Sequence, residues 1–165
     1  NLRRLGHGTC IIKDGDREAA VETLKANDIA VEICLESNRQ ILDVKGEKPP
    51  LRYFLEKKVK VVFGSDDPAV LGTDLSDQFV MAFFDHKLSY LELKKIAFNS
   101  ITFSFLPGNS IFKDHGEIKP EFIAAAQTGW SPDAKVAQFM RDSEKGKMEI
   151  ELLQQFAIFE QKLLS

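Results

Sequence analysis

The sequence has no long apolar run, no excess of positive charge and few cysteines, and each shortage excludes a class of protein. Its apolar runs stay far below the roughly 20 residues that a membrane-spanning helix needs, so no membrane partner is expected. The net charge of −3 gives no general attraction to nucleic acid. No Cys-x-x-Cys occurs, which excludes the zinc and redox centres that are built on that motif.

The two cysteines are Cys10 and Cys34. A disulfide between them is one interpretation. Two buried thiols lying in strands are the simpler interpretation, because free cysteine is among the most buried residue types. Neither interpretation gives the chain a thiol-based active site.

The composition is that of a globular domain, with 165 residues, 44% of them hydrophobic and 28% charged. Three short apolar runs each lead into polar residues: 2–5 into "GHGT", 29–35 into "ESN" and 59–63 into "GSDD". Helical patterns, "DREAAVETLKAN" and "PPLRYFLEKK", lie between the runs. Strands that alternate with helices are typical of parallel βα units, so an α/β fold is predicted.

The chain becomes helical after the third predicted strand. Helices are predicted to begin at Ser76, at Ser89 and at Ser131, and an amphipathic helix is predicted over 148–164. Between them, the segment 106–120 is a predicted loop and Gly146 is a predicted break.

Three parallel strands cannot close a barrel, and they leave two sheet edges open. The chain also begins with Asn1 and passes within a few residues into "RLGHGT". We therefore expect a piece of a larger fold rather than a small open domain. The predicted organisation is a single partial domain over 1–165, with βα units in 1–105 and a loop with C-terminal helices in 106–165.

Polar residues follow all three predicted strands, at the strand ends that carry the chemistry in parallel βα folds. They are His7 after the first strand, Ser37 and Asn38 after the second, and Asp66 and Asp67 after the third. Each of these alone can be a turn residue or a helix cap. A turn needs at most one aspartate, so two adjacent carboxylates indicate a metal ligand and a hydrogen-bonding partner.

Three other features are predicted to be structural. "HGE" at 115–117 invites a metal interpretation, but a His and a Glu two residues apart do not share a helix face, so an exposed loop is predicted. His86 lies near a helix end, where it suits the helix dipole. Phe79, Phe83 and Phe84 recur at helical spacing and are predicted to pack in the core.

Four segments carry a resemblance to a known family. "RLGHGT", "VEICLESN", "VVFGSDDPAVLGTDLSDQF" and "LKKIAFNSITFSF" follow one another in this order. Together they resemble the C-terminal part of the adenosine deaminase family over residues 1–105. Ser65 before the two aspartates, with "LSDQF" and "NSI", resembles the growth-factor-like branch of that family.

This resemblance implies a (β/α)8 barrel, of which the chain forms about strands six to eight, with zinc at its C-terminal mouth. The implied reaction is hydrolytic deamination of adenosine to inosine and ammonia. His7 matches the family's catalytic histidine, Asp66 its zinc-ligating aspartate and Asp67 the aspartate that hydrogen-bonds the purine. The implied partners are a purine nucleoside and the N-terminal half of the barrel, because the family's other zinc ligands and its catalytic glutamate are not in this chain.

The sequence also departs from the family pattern. Lys48 stands before Pro49 where a histidine is usual, and Lys58 replaces a common glycine before the last strand. Both departures bear on substrate detail. Two alternatives stay open at this point: a non-catalytic, binding or growth-factor-like relative, and an unrelated small α/β domain whose two aspartates bind Mg²⁺.

Overall fold

The computed structural model describes residues 2–13, 15–44, 50–113, 117–131 and 133–164. The chain divides into two compact units, residues 1–103 and 104–165. The first unit combines helices with a small sheet, and the second is mainly helical. Within the described ranges, every helix is too short or too polar to cross a membrane.

A three-stranded parallel sheet forms the centre of the first unit. Its strands are β1 (Arg4–Gly6), β2 (Ala30–Ile33) and β3 (Val61–Phe63), in the spatial order β1-β2-β3. Leu5 pairs with Val31, which in turn pairs with Val61. The prediction of parallel βα units is confirmed, and β2 separates the two outer strands.

Helices connect the strands. They are α1 (Arg17–Ala26) between β1 and β2, then α2 (Leu35–Leu42) and α3 (Leu51–Glu56) between β2 and β3. The sequence predicted one helix in the second connection, whereas the structure has two. The additional helix, α2, begins directly after β2, so "ESN" lies in a helical turn.

Side chains alternate across the sheet and thereby define two apolar clusters. Val31, Ile33 and Val61 point towards the helices, where they pack with Leu24 of α1 and Phe54 of α3. On the other face, Ala30 and Val62 pack with Phe103. Burial on both faces explains why the strands read as near-continuous apolar runs.

Three helices follow the sheet: α4 (Pro68–Leu71), α5 (Leu75–Phe84) and α6 (Tyr90–Thr102). The predicted capping box of Ser89 with Glu92 is confirmed at the start of α6. Helix α5 begins one residue before Ser76, because the carboxylate of Asp74 accepts the backbone N–H of Asp77 and so makes the cap.

The prediction that three phenylalanines of α5 pack in the core is wrong for two of them. Phe79 meets Phe63 edge-to-face with ring centroids 5.1 Å apart. Phe83 and Phe84 are exposed by 49% and 61%. The buried face of α5 is centred on Ala82. Each residue of a helix is rotated by about 100° from the one before it, so Phe83 and Phe84 point away from that face.

The second unit contains α7 (Ile123–Gln127), α8 (Ala134–Asp142) and α9 (Glu144–Leu164), which enclose a core of Ile111, Phe122, Trp130, Val136 and Ile150. Among the described residues of the predicted loop 106–120, an isolated bridge joins Phe112 to Ile118.

Two predictions about the helices of the second unit are wrong. Asp133, not Ser131, caps α8, because its carboxylate accepts the N–H of Val136. Helix α9 runs straight through Gly146. A Cβ at that glycine would collide with the ring of Phe139, so close packing, not a helix break, requires glycine there. Pro132 lies outside the described residues.

Candidate active site at the ends of the strands

The polar residues that follow the three strands meet at one end of the sheet. His7 follows β1 directly, Ser37 and Asn38 lie in the first turn of α2, and Asp66 lies three residues after β3. His7 and Asp66 both have a φ of +58°, an uncommon left-handed conformation for residues other than glycine. Each therefore lies in a sharp turn, where the chain reverses out of the sheet.

Three side-chain contacts define the geometry of this site. The Nε2 atom of His7 is 3.8 Å from Oδ2 of Asp66. On the opposite side of the ring, Nδ1 of His7 lies 2.9 Å from Oδ1 of Asn38, within hydrogen-bond distance. The hydroxyl of Ser37 donates to Oδ2 of Asp66 across 2.6 Å. The four side chains thus form one connected set.

The contact with Asn38 bears on which ring nitrogen of His7 carries the proton when the imidazole is neutral. Since a carbonyl oxygen only accepts, the contact with Asn38 places the proton of a neutral imidazole on Nδ1. The lone pair is then on Nε2 and faces the carboxylate of Asp66. Two acceptor atoms 3.8 Å apart leave room for a hydrogen-bond donor about 2.8 Å from each. The pair can therefore hold a water molecule or a positively charged group.

A cavity of about 410 Å³ opens beside these residues. His7, Ser37 and Asp66 form its polar part, while Ile11 and Ile41 belong to its apolar part. Volumes of this size and mixed polarity suit a small organic ligand.

Asp67, the second predicted carboxylate, has an exposed side chain and does not line this cavity. Its backbone oxygen accepts the N–H groups of Val70 and Leu71, so the residue forms the start of α4. The structure thus brings His7 and Asp66 together and places Asp67 beside them at the solvent boundary.

His86, the other histidine in the described part of the chain, lies apart from this set. His86, predicted at a helix end, follows α5 and is buried, and burial lowers its pKa. His115 and Gly116 of the "HGE" segment lie outside the described residues. Glu117 of the same segment is exposed and pairs with Lys113 at 3.9 Å. Across the described ranges, no group of three or more His, Cys, Asp or Glu side chains could hold a metal ion.

The two cysteines are free thiols, and Cys10 is exposed whereas Cys34 is buried. The disulfide interpretation and the predicted burial of Cys10 are therefore wrong, since Cys10 lies in the turn after Gly8 and not in a strand. Burial, followed by the negative charges of Glu32 and Asp66, raises the pKa of the Cys34 thiol to about 12. Cys34 is thus protonated and unreactive at neutral pH.

Sequence reasoning missed a buried polar network that supports the first turn of α2. Gln78 of α5, which is fully buried, accepts the N–H of Glu36 across 3.2 Å and donates to the hydroxyl of Thr73 across 3.1 Å. Gln40 donates to the backbone oxygen of Leu71 across 3.1 Å. The sequence signal for this network was Gln78 in "LSDQF", a polar residue directly before the apolar run 79–84.

Glu36 is the ionisable member of this network. Hydrogen bonds from Arg39, one of them 2.6 Å long, lower the pKa of Glu36, and burial opposes that shift only in part. The contribution to stability is therefore present above the unfolded-state pKa of about 4.3 and is lost as the pH falls through the folded-state pKa.

We expect Glu36→Gln to lower the free energy of unfolding by about 1 kcal/mol at pH 7, because it removes charge-assisted hydrogen bonds. The difference from the wild type should shrink as the pH falls below about 4. Urea unfolding at pH 7 and pH 3 measures both values, with Glu22→Gln in an exposed pair with Lys25 as the control. An equal loss at the two pH values would contradict this assignment.

Known proteins share sequence with this chain. A sequence model of the family described as "Adenosine deaminase" matches residues 1–113. An adenosine deaminase from Aliivibrio fischeri is 38% identical over 104 residues, which cover 62% of this chain and 30% of that protein. One from Klebsiella pneumoniae is 34% identical over the same shares. The chain thus spans about 30% of the length of these curated relatives.

A solved structure shares the fold. The adenine deaminase from Arthrobacter aurescens superposes with a TM-score of 0.60 at 23% identity, over 94% of this chain and 36% of that one. This likeness confirms the predicted fold class, an α/β chain with the βα units of part of a larger barrel. Because the family match covers more than half of the chain, including both strand ends that carry His7 and Asp66, the chain belongs to the adenosine deaminase family.

Proposed function

We propose that the protein converts adenosine and water into inosine and ammonia with the help of zinc, and that this chain supplies only part of the active site. The observation that carries the proposal is the pairing of His7 with Asp66, 3.8 Å apart at the ends of parallel strands. Relatives described as adenosine deaminases support the choice of substrate. "Intact protein" below means this chain together with the rest of such a barrel.

The residues present fit one part of a zinc site. Asp66 offers a carboxylate, a normal zinc ligand, and within the described residues only Oδ2 of this carboxylate is held, by Ser37. A catalytic zinc usually needs three protein ligands. We therefore propose that Asp66 is one ligand and that the others come from the N-terminal half of the barrel. Zinc, when bound, lowers the pKa of water from about 16 towards about 7 and so makes a nucleophile available at neutral pH.

His7 acts as the proton carrier in this proposal. Its Nε2 lone pair, directed towards Asp66, accepts the proton of the attacking water as the oxygen adds to the carbon that bears the amino group. The same proton then passes to the departing nitrogen, which leaves as ammonia. One water is consumed, and the oxygen stays on the purine.

Asp67 and the cavity wall position the substrate. The exposed carboxyl group of Asp67 lies next to Asp66 in the chain, where it can form a hydrogen bond with a purine ring nitrogen. The apolar side chains of Ile11 and Ile41 offer a surface for the flat ring. This arrangement turns the amino-bearing carbon towards the His7–Asp66 pair.

Inosine formation by the intact protein tests the proposal. We expect turnover of adenosine to stop after a chelator removes metal, and to return when zinc is added back. Guanosine serves as a purine control that lacks the 6-amino group. A zinc-loaded protein that binds adenosine without forming inosine would reject the enzyme and favour a non-catalytic relative.

A separate prediction concerns zinc binding by this chain alone. Because Asp66 is one ligand where three are usual, we expect a dissociation constant weaker than about 1 μM. Calorimetric titration of the 165-residue chain measures it, and circular dichroism reports whether the chain is folded. Tight one-to-one binding below that value would mean that this chain holds a complete site.

A further inference from the structure

We propose that Ser37 and Asn38 are positioning residues that hold Asp66 and His7 in a single reactive arrangement, an inference that rests on the proposed function. His7 follows β1 and Asp66 follows β3, and these two strands do not pair with each other. Because β2 separates them, the sheet alone does not set the distance between the two side chains. The first turn of α2, which follows β2, touches both.

The two positioning residues, Ser37 and Asn38, are buried and lie in helix α2. Asn38 is fully buried and Ser37 is 3% exposed. Neighbouring positions in one helical turn point in different directions, about 100° apart, so one residue can reach His7 and the other Asp66. The turn is itself fixed, since the N–H of Glu36 donates to the buried side chain of Gln78.

Asn38 contacts His7 through its amide oxygen and not through its amide nitrogen. Its Nδ2 atom is buried, and no hydrogen-bond partner is present in the described part of the chain. A buried amide group without a partner destabilises the fold. The described side-chain hydrogen bond of Asn38 is the one from Nδ1–H of His7, and this contact selects the tautomer whose lone pair is on Nε2.

Ser37 has the matching role at Asp66. Its hydroxyl occupies Oδ2, the oxygen that faces His7, and thereby sets the orientation of the carboxylate. Because a carboxylate is planar, holding Oδ2 also fixes the direction of its other oxygen, Oδ1. Groups that orient a metal-binding side chain in this way typically change metal affinity by 10- to 100-fold when removed.

The tautomer of His7 tests the inference without any measurement of activity. We would record nitrogen-15 spectra of the metal-free intact protein, at a pH where the imidazole is neutral. The His7 signals are those that are absent from His7→Gln. We expect the proton on Nδ1 in the wild type, a shift towards Nε2–H in Asn38→Leu, and retention of Nδ1–H in Asn38→Asp, which keeps an acceptor oxygen.

Ser37→Ala is the matched control for that experiment. It should leave the tautomer unchanged and weaken zinc binding by about 10- to 100-fold. If the imidazole of His7 carries its proton on Nε2 in the wild-type protein, the inference is overturned, even if no Asn38 variant folds. An unchanged tautomer in a folded Asn38→Leu variant would overturn it as well.

The spectra also separate this inference from the proposed function. The tautomer is observable whether or not the protein deaminates adenosine, so failure of one does not imply failure of the other. If inosine is formed, we expect Asn38→Leu to lower kcat by about 10²-fold with little change in KM, because proton transfer and not binding is impaired. A change confined to KM would contradict a positioning role.

Discussion

Asp66→Ala in the intact protein is expected to lose both zinc and deaminase activity. The substitution removes a carboxylate that we assign to the metal, and it leaves too few ligands for a stable catalytic site. Metal analysis after gel filtration, together with the rate of inosine formation, measures the two losses. A variant that keeps its zinc would remove Asp66 from the ligand set.

Asp67→Ala is the matched comparison, since it deletes the neighbouring carboxylate of the same size. We expect most of the zinc to be retained, because this side chain serves the substrate. Loss of one charge-assisted hydrogen bond, worth about 1.5–3 kcal/mol, corresponds to a drop in kcat/KM of roughly 10- to 150-fold. If Asp67→Ala loses zinc as fully as Asp66→Ala, the division of roles between the two aspartates is wrong.

His7→Ala completes this series. The metal should stay bound, whereas the loss of the proton acceptor should lower kcat by about 10²- to 10⁴-fold. Loss of zinc from this variant would instead make His7 a ligand, since its Nε2 already faces Asp66 at 3.8 Å.

The second large effect is expected on stability, from Gly8→Ala. Gly8 has a φ of +64°, and an added Cβ would lie 2.7 Å from the ring of Phe54 and 2.8 Å from a methyl group of Val31. Both neighbours are fully buried in the core, so moving either one disturbs the packing around it. Backbone strain of about 1–2 kcal/mol and overpacking of about 1–3 kcal/mol add to roughly 2–5 kcal/mol.

Gly72→Ala separates the two contributions to that loss. Gly72 has a similar φ of +62°, but nothing lies within 4 Å of its added Cβ. Only the strain of about 1–2 kcal/mol is expected. Chemical denaturation of both variants gives the comparison, and equal losses would show that contact with Phe54 and Val31 contributes nothing. Because Gly8 follows His7, we also expect Gly8→Ala to reduce turnover.

The apolar runs predicted the strands because β1, β2 and β3 are buried on both faces, which leaves a continuous hydrophobic signal. The proximity of His7 and Asp66 was predictable for a related reason. Parallel strands present their carboxyl ends on the same side, so residues that follow them meet even when they are far apart in sequence. The family match excludes the alternative of an unrelated magnesium-binding domain.

Other features depended on tertiary contacts that a local pattern does not contain. "ESN" looked like a cap or a turn, yet Ser37 and Asn38 lie inside a helix, whose first turn is supported by the contact of Gln78 with Glu36, 42 positions earlier. The positions of Gly146 and Phe83 likewise depend on which side of each helix packs against a neighbour. Gly146 admits the ring of Phe139, whereas Phe83 lies on the outer side of α5.

Locating zinc in crystals of the intact protein would decide whether Asp66 is a metal ligand. We expect an anomalous scattering peak about 2.0–2.2 Å from a carboxylate oxygen of Asp66, as for other zinc–carboxylate bonds. We also expect Nδ1 of His7 to stay bonded to Asn38 and Nε2 to face the metal without ligating it. A peak elsewhere in the protein, with Asp66 unligated, would remove Asp66 from the zinc site.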